Sequence, residues 1–335
     1  MLRRVTRVAY VVMSYTEPQT LQRLIRALRS ASPAAEIVVR HDARRVPLPE
    51  MPADGHLHAR PSTAPLEWGH WSMVEAMLIE LRWVRQNLSV THVAFISGQD
   101  YPAGALGGWE AGLAGVDAVM TAERLAFRPR WLARRGVDGS DDLIRYVYAW
   151  FGLPGTSRRV WPRTKRGKKA VAKTFDQIRP VAYFRVLPHG RGSLVGIRRR
   201  PTAWSDHYYK GWPWVALSVK ATDRVLTAAS GPLRDLYRRS LIPEESFLQT
   251  VVMNDPDLHV VPQELAFMDW TGSVEHPQLL TLKHLPAISD AGTPFARKVA
   301  AGVSDDLMAA FDERLGPSSG RPGVQQVQRA EHGGT

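Results

Sequence analysis

The sequence predicts an α/β protein with a mainly parallel central sheet, and three observations carry that expectation. The first hundred residues alternate between strand and helix periodicity in the order strand, helix, strand, helix, strand. The opening run VAYVVMSY is continuously apolar and β-branched, which suits a strand covered on both faces. Each strand is followed by an amphipathic stretch able to serve as a crossover helix, and such alternation favours parallel pairing with right-handed connections.

The elements follow in order. After the first strand, Pro18 stands where a first helical turn begins, and Leu21, Leu24, Ile25 and Leu28 recur with helical spacing along PQTLQRLIRALRS. EIVVRHD reads as the second strand. WSMVEAMLIELRWVRQNL is a second helix with Val74, Met77, Leu78, Leu81 and Val84 on one side, and THVAFISGQDYP is a third strand running into a turn. From about Arg124 to Trp204 the period fades in a segment rich in Arg, Pro, Gly and Trp, read as a long insertion with a few short helices. Pattern returns at GWPWVALSVKATDRVLTAAS, a strand then a helix, at IPEESFLQTVVMND, and at LHVVPQELAFMDW. The organisation expected is one domain over residues 1–315, with a polar, Gly-rich tail from 316 to 335 that is expected to be disordered.

Composition removes several classes. The 335 residues include no cysteine, so disulfides, thiolate metal sites and cysteine nucleophiles are excluded. The apolar run Val8 to Met13 is too short for a secretory signal, and no run of about 18 uncharged apolar residues occurs, so a soluble, cytoplasmic protein is expected. The formal net charge is +12, yet twenty of the 44 Lys and Arg and only four of the 32 Asp and Glu fall between Arg124 and Arg200. That basic segment, densest at RRVWPRTKRGKKAVAK, has three readings. Trp150, Phe151 and Trp161 would serve stacking in a nucleic-acid patch; the charge alone would serve peripheral contact with anionic lipid; a solvated loop needs neither. The last two are favoured, and no nucleic-acid partner is expected.

In an open parallel sheet, ligands settle beyond the carboxyl ends of the strands. The residues there are Met13 and Ser14, His41 and Asp42, and Ser97 to Asp100. No GxGxxG or GxxxxGK[ST] follows the first strand, so neither a dinucleotide fingerprint nor a P-loop is present. Glu244 and Glu245 stand directly behind Pro243, where the helix dipole alone would favour acidic residues. Periodicity does not separate the two: Glu244 lines up with Phe247, Leu248 and Val251, and Glu245 with Leu248, Gln249 and Val252. Asp255 and Asp257 form a literal D-x-D, but in NDPD behind a helix, which reads as a turn. No histidine spacing suits a metal site.

The blocks WGHWSMVEAML, FISGQDYP, GWPWVALS, PEESFLQTVVMND, FMDW and PFARKV occur in an order and spacing that resembles the core-2/I-branching N-acetylglucosaminyltransferase and peptide O-xylosyltransferase family, glycosyltransferase family 14. The resemblance runs from about Val8 to Phe311, leaving out the basic insertion and the tail. It implies a GT-A-like, Rossmann-like fold and a metal-independent, inverting glycosyltransferase using a UDP-sugar, with N-acetylglucosamine the first expectation and xylose the second. It implies no metal and no cofactor, and an acceptor that is a glycan, a lipid-linked molecule or a small molecule.

Residue by residue, the resemblance makes Glu245 the catalytic base and sets Arg297 and Lys298 against the donor diphosphate, where other enzymes of this fold use a metal. Asp42 would contact the uracil or ribose, with Val12 and Ser14, beside Met13, near the base. Trp68, Gly69, Asp100, Tyr101, Trp212, Trp214 and Glu244 would line the sugar and acceptor pocket; Pro213 departs from the acidic or amide residue common at its position. The chemistry is coherent. A sugar hydroxyl is a poor nucleophile, so a carboxylate must take its proton as the bond to C1 forms. The sugar passes through an oxocarbenium-like state while a diphosphate leaves, and guanidinium and ammonium groups stabilise that charge. The alternatives are a basic nucleic-acid-binding protein and a non-catalytic glycan-binding member of the same fold.

Overall fold

In the computed structural model, which describes residues 6–64, 66–125, 140–153, 181–186, 193–200, 207–272 and 276–315, strand β1 (Val8–Ser14) is buried along its whole length. Helix α1 (Pro18–Ala31) covers one face of the sheet and α2 (Trp71–Asn87) the other. Successive strand side chains point to opposite faces. Val8, Tyr10 and Val12 accordingly join the cluster with Leu21, Leu24, Ile25 and Leu28 of α1, whereas Ala9, Val11 and Met13 join the cluster with Val74, Met77 and Leu81 of α2. Full burial of each such aliphatic side chain contributes roughly 1.5–3 kcal/mol, so this continuous apolar strand is the centre of a three-layer arrangement.

Strand β1 pairs in parallel with β2 (Glu36–Asp42) on one side and with β4 (His92–Ser97) on the other. Strand β3 (Leu57–Ser62) lies parallel on the far edge of β2. It escapes the sequence reading because LHARPS is half polar, as an edge strand with a single neighbour can be. Beyond β4 come β12 (Ala216–Ser218), antiparallel, then β6 (Ala118–Val119) and β13 (Val260–Val261). The sheet therefore has seven strands in the order β13-β6-β12-β4-β1-β2-β3, and every strand except β12 runs in the same direction. The protein is mixed α/β with a mostly parallel central sheet, compatible with a Rossmann-like fold. The order reverses between β1 and β4, which makes their carboxyl ends the switch point.

Strand β5 (Asp100–Pro102) turns out of β4 into a second, three-stranded sheet with β15 (Phe295–Arg297) at its centre and β14 (Ala266–Met268) beyond. Helix α3 (Gly107–Gly112) sets Trp109 into the core of the main sheet. The basic insertion holds strands where short helices were expected. It contains helix α4 (Ser140–Val147) and then an antiparallel sheet of β8 (Tyr148–Leu153), β10 (Ser193–Arg198) and β9 (Ala182–Val186). Their sequences, YAWFGL, AYFRV and SLVGIR, are rich in aromatic and branched residues, and the surrounding arginines mask that signal. The densest basic run, 158–173, and the tail, 316–335, lie outside the described residues.

A two-stranded ribbon of β7 (Glu123–Arg124) and β11 (Tyr209–Lys210) closes the insertion. Helix α5 (Val219–Ala228) follows β12 with Ser218 as its cap, its side chain accepting from the Ala221 amide. Helices α6 (Pro232–Tyr237) and α7 (Phe247–Met253) complete that side of the core, and α8 (Leu285–Ala291) and α9 (Asp305–Arg314) pack Ile288, Leu307, Met308 and Phe311 beside the second sheet. Among the described residues no helix is long and apolar enough to cross a membrane.

Candidate active site

The paired glutamates stand ahead of a helix and outside its first turn. Pro243–Glu245 form a single 3-10 turn, and α7 begins only at Phe247. Ile242, immediately before them, has a φ of 48°, a left-handed conformation that costs a β-branched residue on the order of 1–3 kcal/mol. Two hydrogen bonds hold it there: the Ile242 amide donates to the Gly69 carbonyl at 3.1 Å, and the Tyr146 hydroxyl donates to the Ile242 carbonyl at 3.2 Å. Gly69 itself has a φ of 81°, which a residue without Cβ adopts freely.

This docking separates two carboxylates that periodicity could not. Glu244 is 0 % exposed; its Oε1 accepts from the Gly69 amide at 2.5 Å, and among the described residues its Oε2 has no hydrogen-bond partner. Burial pushes its pKa up to about 8, the Gly69 hydrogen bond only partly opposing this, so at neutral pH Glu244 is mostly the protonated acid. Glu245 is 8 % exposed and accepts from Arg145 Nη1 at 3.1 Å. Burial raises its carboxyl above the ordinary value, while the charges of Arg145 and Lys210 favour the anion. Arg145 also pairs with Asp142 at 2.8 Å, and Asp142 with Lys210 at 2.8 Å, so the carboxylate ends a small charged network supplied by the insertion.

A strap of residues leads from Glu245 across the sheet. The Gly211 amide donates to the Glu245 carbonyl at 2.8 Å. A Cβ on Gly211 would lie 1.8 Å from the Thr121 carbonyl oxygen, so no other residue fits that crossing. The next residue, Trp212, donates its amide to Thr121 Oγ1 at 3.0 Å, accepts from Gln249 Nε2 at 2.6 Å and stacks on Trp270 with ring centroids 5.3 Å apart. Trp214 follows beside the carboxyl end of β4, where the Phe95 amide donates to the Val215 carbonyl. The Arg297 guanidinium lies 4.6 Å from the Trp214 ring centre.

Arg297 stands opposite Asp100 across the β15–β5 pair, and its Nη1 donates to Asp100 Oδ1 at 2.7 Å. Asp100 is 1 % exposed and its other oxygen accepts from the Ser97 amide at 2.7 Å. Burial raises the Asp100 carboxyl, and Arg297 opposes that shift. Lys298 is half-buried, and burial together with the Arg297 charge holds its ammonium below the usual range. Among the described residues Lys298 Nζ has neither an ion pair nor a hydrogen bond. Asp100 is the one carboxylate acting on both cations: it is hydrogen-bonded to Arg297 and only electrostatically coupled to Lys298, which leaves the Lys298 donors able to receive an anion.

Several expected ligand contacts take other roles in the structure. Val12 directs its side chain into the core with Leu21 and Leu24 and presents none to a ligand. Asp42 is fully buried, and its two oxygens are taken by Arg44 Nε and Nη2 at 3.0 and 2.9 Å and by the amides of Arg44 and Leu66. The Arg44 contact holds its pKa down at about 2, so Asp42 organises the loop behind β2. Tyr101 packs between apolar elements against Phe311 and donates its hydroxyl to Asp312 at 2.6 Å. Asp100 is a clamp on Arg297 and the Ser97 turn, with almost no surface of its own. Ser14 Oγ lies 2.8 Å from His41 Nδ1; His41 Nε2 faces the Val46 carbonyl at 2.6 Å, so in the neutral ring Nε2 carries the proton and Nδ1 accepts from Ser14.

Trp68 is 58 % exposed on the turn that carries Gly69, an open aromatic face next to the glutamates. Asp255 and Asp257 both face Arg224, at 3.0 and 3.7 Å, in the turn behind α7. Among the described residues no three His, Asp or Glu side chains converge as a metal site requires. Arg145, Lys210, Gln249 and Trp270 belong to the arrangement and were missed in the sequence. Only the amphipathic run SDDLIRYV around Arg145 offered a signal, and it lay within a segment read as insertion. No protein-family model matches the chain, and no curated protein matches its sequence.

Proposed function

We propose that the chain is a glycosyltransferase of GT-A-like fold that moves a sugar from a UDP-sugar to an acceptor hydroxyl, with inversion at the anomeric carbon and without a metal. The observation that carries the reading is the run of contacts that leads from the carboxylate of Glu245 through Gly211 and the tryptophans Trp212 and Trp214 to Arg297 and the neighbouring ammonium of Lys298. These are the three things such a transfer requires: a base, faces on which pyranose rings stack, and positive charge for a departing diphosphate.

Glu245 takes the acceptor proton. Burial raises its carboxyl above the ordinary value, which strengthens it as a base, while the charges of Arg145 and Lys210 favour the anion. Lys298 neutralises charge as the donor's C1–O bond breaks, with Arg297, fixed by Asp100 and Trp214, beside it. Glu244, protonated and bonded to the Gly69 amide, holds the Trp68 turn against the base. N-acetylglucosamine is the first sugar to try and xylose the second. The test is thermal unfolding of the full chain with a panel of nucleotides and UDP-sugars in EDTA. A ligand at 100 times its Kd adds about 2.7 kcal/mol; a rise in Tm with UDP or one UDP-sugar that persists in EDTA and is lost in Lys298→Ala is the expected result. The absence of a shift with every uridine nucleotide, or a shift abolished by EDTA, contradicts the reading.

A further inference from the structure

A cavity lies apart from the site just described, between the small antiparallel sheet and α6. Its volume is ≈ 620 Å³ and it is lined by Ala149, Arg199, Asp235, Leu236, Arg238 and Arg239. Three guanidinium groups and one carboxylate surround it, and no ion pair joins Asp235 to any of the three. Arg238 and Arg239 are exposed at the rim, with Arg239 lying 4.8 Å over the Phe151 ring. Arg199 reaches further in. Among the described residues its Nε and Nη2, both shielded from solvent, have no hydrogen-bond partner. Buried donors are nearly always satisfied, and one left unpaired costs about 1–3 kcal/mol, more for a charged group. Burial holds the Arg199 guanidinium below its usual range, and the neighbouring Arg239 charge acts in the same direction.

We infer that this cavity is an oxyanion site that receives the phosphoryl or pyrophosphoryl group of a ligand. The guanidinium groups of Arg199, Arg238 and Arg239 converge on one space, and guanidinium forks match phosphate geometry bidentately. The local excess of two positive charges suits a dianion better than a carboxylate. The space exceeds what a bare phosphate fills and falls in the range of cavities that hold an organic ligand, so the phosphoryl group is one end of a larger molecule.

The site does not rest on the proposed transfer reaction, but the backbone connects the two. The Arg199 amide donates to the Val147 carbonyl at 3.0 Å, at the end of α4, and the Leu241 amide donates to the Arg145 carbonyl at 3.1 Å. The segment lining the cavity is thus continuous with the one that presents Arg145 to Glu245.

The experiment is calorimetric titration of the full chain with inorganic pyrophosphate and with glucose 1-phosphate, alongside co-sedimentation with phosphatidylcholine vesicles containing phosphatidic acid. Lys298→Ala, which removes the proposed donor-diphosphate contact, is the reference protein, and Arg199→Gln, Arg238→Gln and Arg239→Gln are each added to it. Binding by Lys298→Ala that weakens at least about tenfold with each added arginine substitution is the expected result. The rim variants keep the test decisive if Arg199→Gln fails to fold. Arginine-dependent binding of the soluble esters identifies a free phosphorylated ligand, and arginine-dependent binding of vesicles alone identifies a lipid-borne phosphate; either supports the site. Binding by Lys298→Ala that survives all three arginine substitutions, or that is absent for every probe, overturns it.

Discussion

Replacing Glu245 by glutamine is expected to lower sugar transfer by roughly 10²–10⁴-fold, the range associated with a positioned general base. The substitution keeps the size of the side chain and an acceptor for Arg145, so the nucleotide site proposed around Lys298 should bind as before. A fall in kcat with little change in donor affinity would place the loss in the reacting step. The pH profile adds a second readout. Burial raises the Glu245 carboxyl above its ordinary value, so kcat/KM should fall on acidification along a limb displaced above the usual carboxylate range, and the residual activity of Glu245→Gln should lack that limb. Transfer rates measured from acidic to neutral pH in both proteins check this. Equal activity in the variant would remove Glu245 from the mechanism.

The second large effect concerns Glu244 and is one of stability. Its folded pKa of about 8 stands above the ordinary 4.5, so the folded state holds its proton where the unfolded chain releases it. Below about pH 4.5 both states are protonated and the group contributes no pH dependence. As pH rises towards 8 the native state loses stability by about 1.4 kcal/mol per unit, roughly 5 kcal/mol in all, and above that the deficit is constant. Glu244→Gln carries no titrating proton and still offers Oε1 to the Gly69 amide. It should therefore unfold at a higher urea concentration than the native protein at pH 8.5, with the advantage shrinking steadily towards pH 5. An unchanged difference across that range would mean that Glu244 is ionised in the folded protein.

Much of the fold was legible because its strands and helices carry clean periods. VAYVVMSY could only be covered on both faces, and the spacing of Leu21, Leu24, Ile25 and Leu28 allowed one buried helix face. The edge strand LHARPS and the antiparallel sheet of the insertion were not legible, since half-polar or arginine-interrupted strands lose their alternation. The candidate site divides in the same way. Strand ends and the carboxylate pair could be found from chain position, but exposure could not. Asp42 and Tyr101 have the residue types of ligand contacts and are consumed by Arg44 and Asp312. Glu244 and Glu245 are adjacent in sequence, and only the left-handed turn at Ile242, made by tertiary contact with Gly69 and Tyr146, gives them different environments. Arg145 reaches Glu245 from a hundred residues away, a distance over which no spacing rule operates.

The most direct test of the central claim needs no acceptor. When UDP-N-acetylglucosamine is turned over slowly against water in EDTA, proton NMR identifies the anomer of the free sugar before mutarotation mixes the two. A single displacement assisted by Glu245 predicts the β-anomer first from the α-linked donor, with the signal absent in Glu245→Gln. First appearance of the α-anomer, or identical turnover by the native and variant proteins, would contradict the account.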